Sequence, residues 1–146
     1  MSGEIGFEVR GFPPPPHPFG VMMEGHWARL EPLEADAHAG DLYRAFSADD
    51  RLWTYMPYGP FAGAAAYHRW AKDREASRDP VFLAIRDRES GHAAGVAAFL
   101  RIDQTHGVIE VGHICLGPEL QKTRAATEAI WLMMGWAFAQ GYRRFE

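Results

Sequence analysis

The chain has 146 residues with a formal net charge of −4, and 47% of them are apolar and 13% aromatic, which is enough for one packed domain and excludes a disordered chain. Acids and bases interleave, which argues against nucleic acid or an anionic membrane as the main partner. The single cysteine, Cys115, leaves no internal disulfide framework, and no apolar run approaches the roughly 20 residues of a membrane span; with no basic-then-apolar leader, a cytoplasmic location is expected.

Residues 1–24 read as a Pro-rich arm. Phe12-Pro-Pro-Pro-Pro-His-Pro18 can neither be helical nor lie inside a sheet. Such an arm suits a polyproline ligand, or a strap laid on the domain surface or on a partner subunit. Residues 25–146 have the pattern of one domain. The spacing predicts a strand over 25–33 with Trp27 and Leu30 inward, then a helix over 34–46 carrying Ala37, Leu42, Ala45 and Phe46. Ser47 to Asp50 ends that helix, and an aromatic loop, 51–62, follows. A second helix is predicted over 64–77, with Tyr67, Trp70 and Ala71 on one side. Three hairpin-linked strands follow over 80–86, 93–103 and 108–116, with turns at 87–91 and 104–107. A long helix then runs to about residue 140 and stops at Gly141, with Ile130, Met133, Met134 and Phe138 expected against the strands. Residues 142–146 begin a strand parallel to 108–116, because a crossover helix joins parallel neighbours. The fold class is therefore α/β (α+β): a mixed, mainly antiparallel sheet with flanking helices.

The junction from Gly107 to Gln140 carries most of the chemistry. A Val- and Ile-rich strand turns into a helix whose first residues are small or hydroxylated, a plan that offers free N–H groups to an anion; an ordinary βα unit has the same outline. Strict alternation places Val108, Glu110, Gly112, Ile114 and Leu116 on one face and His113 and Cys115 on the other. A carboxylate between apolar neighbours, as Glu110 is, must be paired, hydrated or functional; a salt bridge to an arginine is the plain alternative. His113 and Cys115 lie only roughly 7 Å apart with no orienting acid, so Cys115 reads as a small buried hydrophobe. The seven histidines have no metal-ligand spacing, and no metal is expected. Trp53, Tyr55, Met56 and Tyr58 would either line a pocket for a small apolar or peptide group or plug the core beneath their loop.

Taken together, Gln121-Lys-Thr-Arg-Ala-Ala126, the longer string Glu110-Val-Gly-His-Ile with Pro118-Glu-Leu-Gln-Lys-Thr-Arg-Ala-Ala-Thr-Glu-Ala129, and Phe46-Ser-Ala-Asp-Asp-Arg-Leu-Trp-Thr-Tyr-Met-Pro-Tyr58 resemble the GCN5-related N-acetyltransferases. The likeness is to the branch that includes ribosomal-protein N-terminal acetyltransferases. The family signature Gln/Arg-x-x-Gly-x-Gly/Ala is matched except at its middle glycine, which is Arg124 here. The resemblance implies acetyl-CoA as co-substrate and a primary amine, on a protein N-terminus or a small molecule, as acceptor. It implies that the backbone of Ile114, Cys115 and Leu116 pairs with the pantetheine arm. The N–H groups of Lys122, Thr123, Arg124, Ala125, Ala126 and Thr127, after Gln121, would hold the pyrophosphate. Glu110, eleven residues before Gln121, stands where members place a general base. Trp53, Tyr55 and Tyr58 fall in the acceptor-side region. Members of the family continue with further strands and a helix that form the other wall of the cleft, so the chain is expected to be a fragment or a truncated reading frame. An alternative is a non-catalytic module that associates, as a homo-oligomer for example, through its open sheet edge.

Overall fold

A computed structural model of the chain describes Gly3 and residues 6–146. Its elements in chain order are β1 (Met23–Glu24), β2 (Ala28–Pro32), α1 (Ala35–Phe46), α2 (Ala64–Glu75), β3 (Val81–Asp87), β4 (Ala93–Asp103), β5 (Val108–Leu116), α3 (Arg124–Ala139) and β6 (Arg144–Phe145), with a short 3-10 turn at Asp50–Trp53. The six strands form one sheet in sequential order, antiparallel except for β5 and β6, which are parallel as the crossover predicts. The fold is the mixed α/β sheet with flanking helices expected from the sequence.

The sheet has two covered faces. Ala28, Leu30, Leu83, Ile85, Ala97 and Phe99 share one face, which α3 covers; the Trp136 ring lies 5.4 Å from Phe99. The other face carries Glu31, Ala84, Phe82, Val96 and Ala98 and lies under α1 and α2, with Trp70 of α2 5.6 Å from Phe82. Helix α1 buries Ala35, His38, Ala39, Leu42, Ala45 and Phe46, whereas Ala37 is exposed. The 25–33 strand is likewise shorter than expected. Its inward residues are Ala28 and Leu30, and Trp27, of opposite parity, is 42% exposed.

Helix α3 also turns a different side to the sheet. Ala125, Ala126, Ala129, Met133 and Ala137 are buried, Ile130 is half-buried, and Met134 and Phe138 are exposed. The alanine stripe lets the helix axis approach the strands closely, so the small side chains face in and the large ones out. The arm lies on the domain surface: Tyr142 donates to the Pro16 carbonyl at 2.8 Å, Gln104 donates to the Pro15 carbonyl at 2.9 Å, and Arg143 covers the Phe12 ring at 4.9 Å.

Candidate active site

Strand β5 does not alternate to its end. Ala98 pairs with Gly112 and Val96 with Cys115, so two residues of β5, His113 and Ile114, oppose Ala97 alone. This is a β-bulge, and His113 takes its left-handed conformation with φ +48. The extra residue reverses the faces beyond it. Cys115 joins Glu110 and Gly112 on the α1/α2 side, and Leu116 joins Val111 on the α3 side. The single-face alternation expected from the sequence is thus corrected. His113 and Ile114 are left without a registered partner on β4, and Ile114 is 41% exposed.

A tight turn carries the chain from β5 to α3. Leu120 and Gln121 N–H both donate to the Gly117 carbonyl, and Gln121 Nε2 donates to the Leu116 carbonyl at 3.0 Å. Gly117 is required here because a Cβ would stand 2.9 Å from the Ala94 carbonyl oxygen and 3.0 Å from the Ala45 methyl. Lys122 then adopts φ +59, and Thr123 returns to extended backbone as the cap of α3. Thr123 Oγ1 accepts the Ala126 N–H at 3.2 Å and donates to the Leu120 carbonyl at 2.6 Å, while the Thr127 N–H donates to the Thr123 carbonyl. The N–H groups of Ala126 and Thr127 are therefore engaged within the helix. Those of Lys122, Thr123, Arg124 and Ala125 have no partner among the described residues. Of the N–H groups expected to be free over 122–127, those of 122–125 are free among the described residues.

Beside this cradle lies a surface pocket of about 730 Å³ between Trp27, Lys122, Arg124 and Trp131. The Arg124 guanidinium sits over the Trp27 ring at 5.5 Å. Glu128, one helical turn further on, accepts the backbone N–H groups of His26, Trp27 and Ala28 at 3.0, 2.8 and 2.8 Å. These bonds lower its pKa against the opposing effect of desolvation. Glu128 thereby pins the β1–β2 turn to α3 and sets Trp27 at the pocket wall. Sequence patterning did not single out either residue for this role, since a helical glutamate of ordinary spacing carries no signal of a long-range partner.

Glu110 lies at the other end of this site, half-buried on the α1/α2 face. Its Oε2 stands 3.2 Å from Arg101 Nη1, yet that buried oxygen has no hydrogen bond of acceptable direction. The ion contact exists and the aligned hydrogen bond does not. Arg101 is itself placed by a second bulge: it has φ +46, and Asp79 accepts its N–H and that of Ile102 at 2.9 and 3.0 Å.

The aromatic residues 53–58 separate into three environments. Trp53 is buried against Phe46, Phe61 and Tyr58, and Gly59, with φ +79, allows the chain to pass its indole. Tyr55 is 97% exposed and contacts none of the cluster. Tyr58 reaches β5: its ring stacks on His113 at 5.9 Å and its hydroxyl lies 3.2 Å from His113 Nδ1. Trp53 is thus core, and Tyr58 is the one of the three that adjoins the bulge. Cys115 is buried, and desolvation pushes its thiol up to about 12.

Comparison with known proteins decides the family. A family model described as an acetyltransferase (GNAT) domain matches residues 28–145. The chain belongs to the GNAT acetyltransferase family. A GCN5-related N-acetyltransferase from Brucella melitensis is 38% identical with a TM-score of 0.90, over 94% of this chain and 63% of that one. A GNAT-family protein from Chromobacterium violaceum is 32% identical with a TM-score of 0.88, over 99% of this chain and 73% of that one. RimL, a ribosomal L7/L12 alpha-N-protein acetyltransferase, shares the fold at 14% identity and a TM-score of 0.67, over 86% of this chain and 69% of that one. No curated protein sequence matches the chain. Within this GNAT domain the bulge of β5 leads through the turn at 117–121 to the start of α3, and among the described residues no helix is long and apolar enough to cross a membrane.

Proposed function

We propose that this GNAT domain serves transfer of an acetyl group from acetyl-CoA to a primary amine, on a protein N-terminus or a small molecule. The observation that carries the reading is the set of four N–H groups at 122–125 without a partner among the described residues, one tight turn after a strand whose bulge leaves His113 and Ile114 without ladder partners. These donors, with the exposed cations of Lys122 and Arg124, fit a pyrophosphate. Arg124 in place of the signature glycine does not spoil the cradle, because the backbone N–H survives any side chain but proline. The backbone of Ile114, Cys115 and Leu116 would hold the pantetheine arm as an added strand; the Leu116 carbonyl already accepts Gln121. Acetyl-CoA, when bound, supplies the activated acyl thioester.

The chain's own residues then have distinct tasks. Glu110, with one carboxylate oxygen lacking an aligned hydrogen bond, accepts a proton from the incoming ammonium, directly or through water. A backbone N–H near Ile114 would polarise the thioester carbonyl, a role supported by the bulge that leaves His113 and Ile114 outside the ladder register. Cys115 is not a nucleophile, since burial keeps it a thiol at any neutral pH, so the amine attacks directly. Tyr58 takes the acceptor-side role assigned to the loop.

The test uses the first helical position. Arg124 follows the extended Thr123, and proline at that position suits a helix while deleting one cradle N–H. Acetyl-CoA titrated by calorimetry should bind Arg124→Pro at least about 10-fold more weakly than Arg124→Ala, with both variants folded. Equal affinities for the two, or no heat with the parent chain, would overturn the cradle.

A further inference from the structure

A second pocket, of about 320 Å³, opens on the α1/α2 side of the β5 bulge and is bounded by Tyr58, Arg74, Phe82 and His113, with Pro57 and Pro80 at its rim. Its polar equipment is one-sided. The Arg74 guanidinium, 5.7 Å from the Trp70 ring, has no carboxylate partner among the described residues, and no Asp or Glu lines the pocket. Two acids close to Arg74 in the chain are engaged elsewhere, Glu75 by Lys72 and the Ala35 N–H, and Asp79 by the Arg101 and Ile102 N–H groups. His113 adds a donor of its own. Burial first, and the Arg74 charge second, lower its pKa and so favour the neutral ring. With the Tyr58 hydroxyl assigned as the donor to Nδ1, the ring hydrogen is placed on Nε2, which has no partner among the described residues. Phe82, Trp70 and Tyr58 form apolar walls around these two donors, with ring contacts of 4.7 Å between Tyr58 and Trp70 and 5.2 Å between Phe82 and His113.

We propose that this pocket binds a carboxylate carried by the amine acceptor, with the Arg74 guanidinium and His113 Nε2–H as its donors. The inference rests on the acetyl-transfer reading and adds the acceptor's chemical class. Two donors with no carboxylate beside them favour an anion, and an imidazole N–H beside a guanidinium accommodates a compact planar one. The spacing is suited to an acceptor whose amine reaches the Glu110 side chain while its carboxylate sits at the bulge. Glu110 and His113 are three residues apart on one strand, on the order of 10 Å. That is the span from a peptide's N-terminal amine to an acidic side chain on its second residue.

The probes are two isosteric dipeptide amides, Ala-Glu-NH2 and Ala-Gln-NH2, which differ in one charge. Binding is read without turnover, by calorimetry and by the NMR shift of the His113 ring; transfer is read with acetyl-CoA. Ala-Glu-NH2 should bind about 10-fold or more tightly than Ala-Gln-NH2 and move the His113 ring signals. Arg74→Gln should abolish that preference, Arg74→Lys should retain part of it, and neither should change acetyl-CoA affinity. Equal binding of the two peptides, or a preference that survives Arg74→Gln, overturns the inference even if acetyl-CoA binds and acetyl groups are transferred. The converse result, selective binding of Ala-Glu-NH2 with no acetyl-CoA binding, supports the anion pocket and defeats the acetyl-transfer reading instead. Ala-phosphoserine-NH2 separates the remaining source of negative charge: a preference for it over Ala-Glu-NH2 overturns the carboxylate assignment.

Discussion

Glu31 and Glu110 sit on the same face of the same sheet, on β2 and β5, and their surroundings are opposites. Glu31 is saturated. Arg86 donates to it from Nε at 2.8 Å and from Nη2 at 3.3 Å, His38 Nε2 lies at 2.8 Å, and Arg29 Nε at 3.4 Å. Its pKa falls to about 2, chiefly through the Arg86 hydrogen bonds, against desolvation. His38 is fixed in turn, its Nδ1 accepting the Glu34 N–H at 3.0 Å, so the ion pair joins β2 and β3 to the start of α1. Glu110 has one exposed arginine at its side and a buried oxygen without an aligned donor. A strand carboxylate with both oxygens hydrogen-bonded, by Arg86 and His38, is a structural tie, even though the Arg29 contact adds no aligned hydrogen bond. One left unfinished retains the capacity to accept a proton.

That contrast has its largest expected consequence in turnover. Glu110→Gln should lower the rate of acetyl transfer to amines by roughly 10²–10⁴-fold, the usual worth of a positioned base, with acetyl-CoA affinity unchanged. Its urea midpoint should stay near that of the parent. A Glu110→Gln variant with full turnover would reassign the residue to a structural role like that of Glu31.

Glu31→Gln should do the reverse, costing about 2–3 kcal/mol of stability by leaving half-buried Arg86 without its carboxylate. The pH dependence follows from the depressed pKa. The stabilisation from Glu31 is complete above the ordinary carboxylate value of 4.5 and is lost as pH falls toward about 2. Acid unfolding of Glu31→Gln should therefore be shallower than that of the parent between those limits. Parallel curves would show that the pair is not coupled to folding.

The Glu31 cluster and the Glu110 region also differ in how far the sequence revealed them. The meander, the helices around it and the parallel last strand follow from periodicity and turn residues, and the structure has them, with β1 added where the sequence pattern has only the end of the arm. The bulge at His113–Ile114 does not follow, because neither residue signals positive φ as a glycine would, and one added residue reverses the faces of Cys115 and Leu116. The inner side of α3 was misjudged for a related reason. Hydrophobicity favours Met134 and Phe138 over alanine, but close helix–sheet approach favours Ala125, Ala129 and Ala137. Glu128, Arg74 and Glu31 depend on partners tens of residues away, which local pattern does not encode.

The cap of α3 offers a smaller effect on the functional side. Thr123→Ala removes the hydroxyl that accepts the Ala126 N–H and should cost about 1 kcal/mol by thermal unfolding, while Thr123→Ser should cost a few tenths. If the alanine variant is as stable as the parent, the cap is not formed in solution.

The two arginines give the smallest and sharpest comparison. Arg86 is half-buried and held at both ends, by Glu31 and by the Gly91 carbonyl at 2.7 Å; Arg101 is 78% exposed and contacts Glu110 from one side. Exposed ion pairs are screened and contribute about 0–1 kcal/mol. Arg101→Gln should accordingly shift stability by less than about 1 kcal/mol, where Arg86→Gln should cost about 2 kcal/mol or more. Arg101→Gly separates the backbone from the charge. At φ +46 a glycine relieves the strain that a side chain bears, and Asp79 still receives the N–H groups of 101 and 102. Arg101→Gly should therefore be no less stable than Arg101→Gln by urea denaturation, despite the entropy glycine adds to the unfolded chain. A glycine variant weaker than the glutamine variant by 1 kcal/mol or more would mean that the bulge is not left-handed at residue 101, and Arg101 would then lose the geometry that brings it to Glu110.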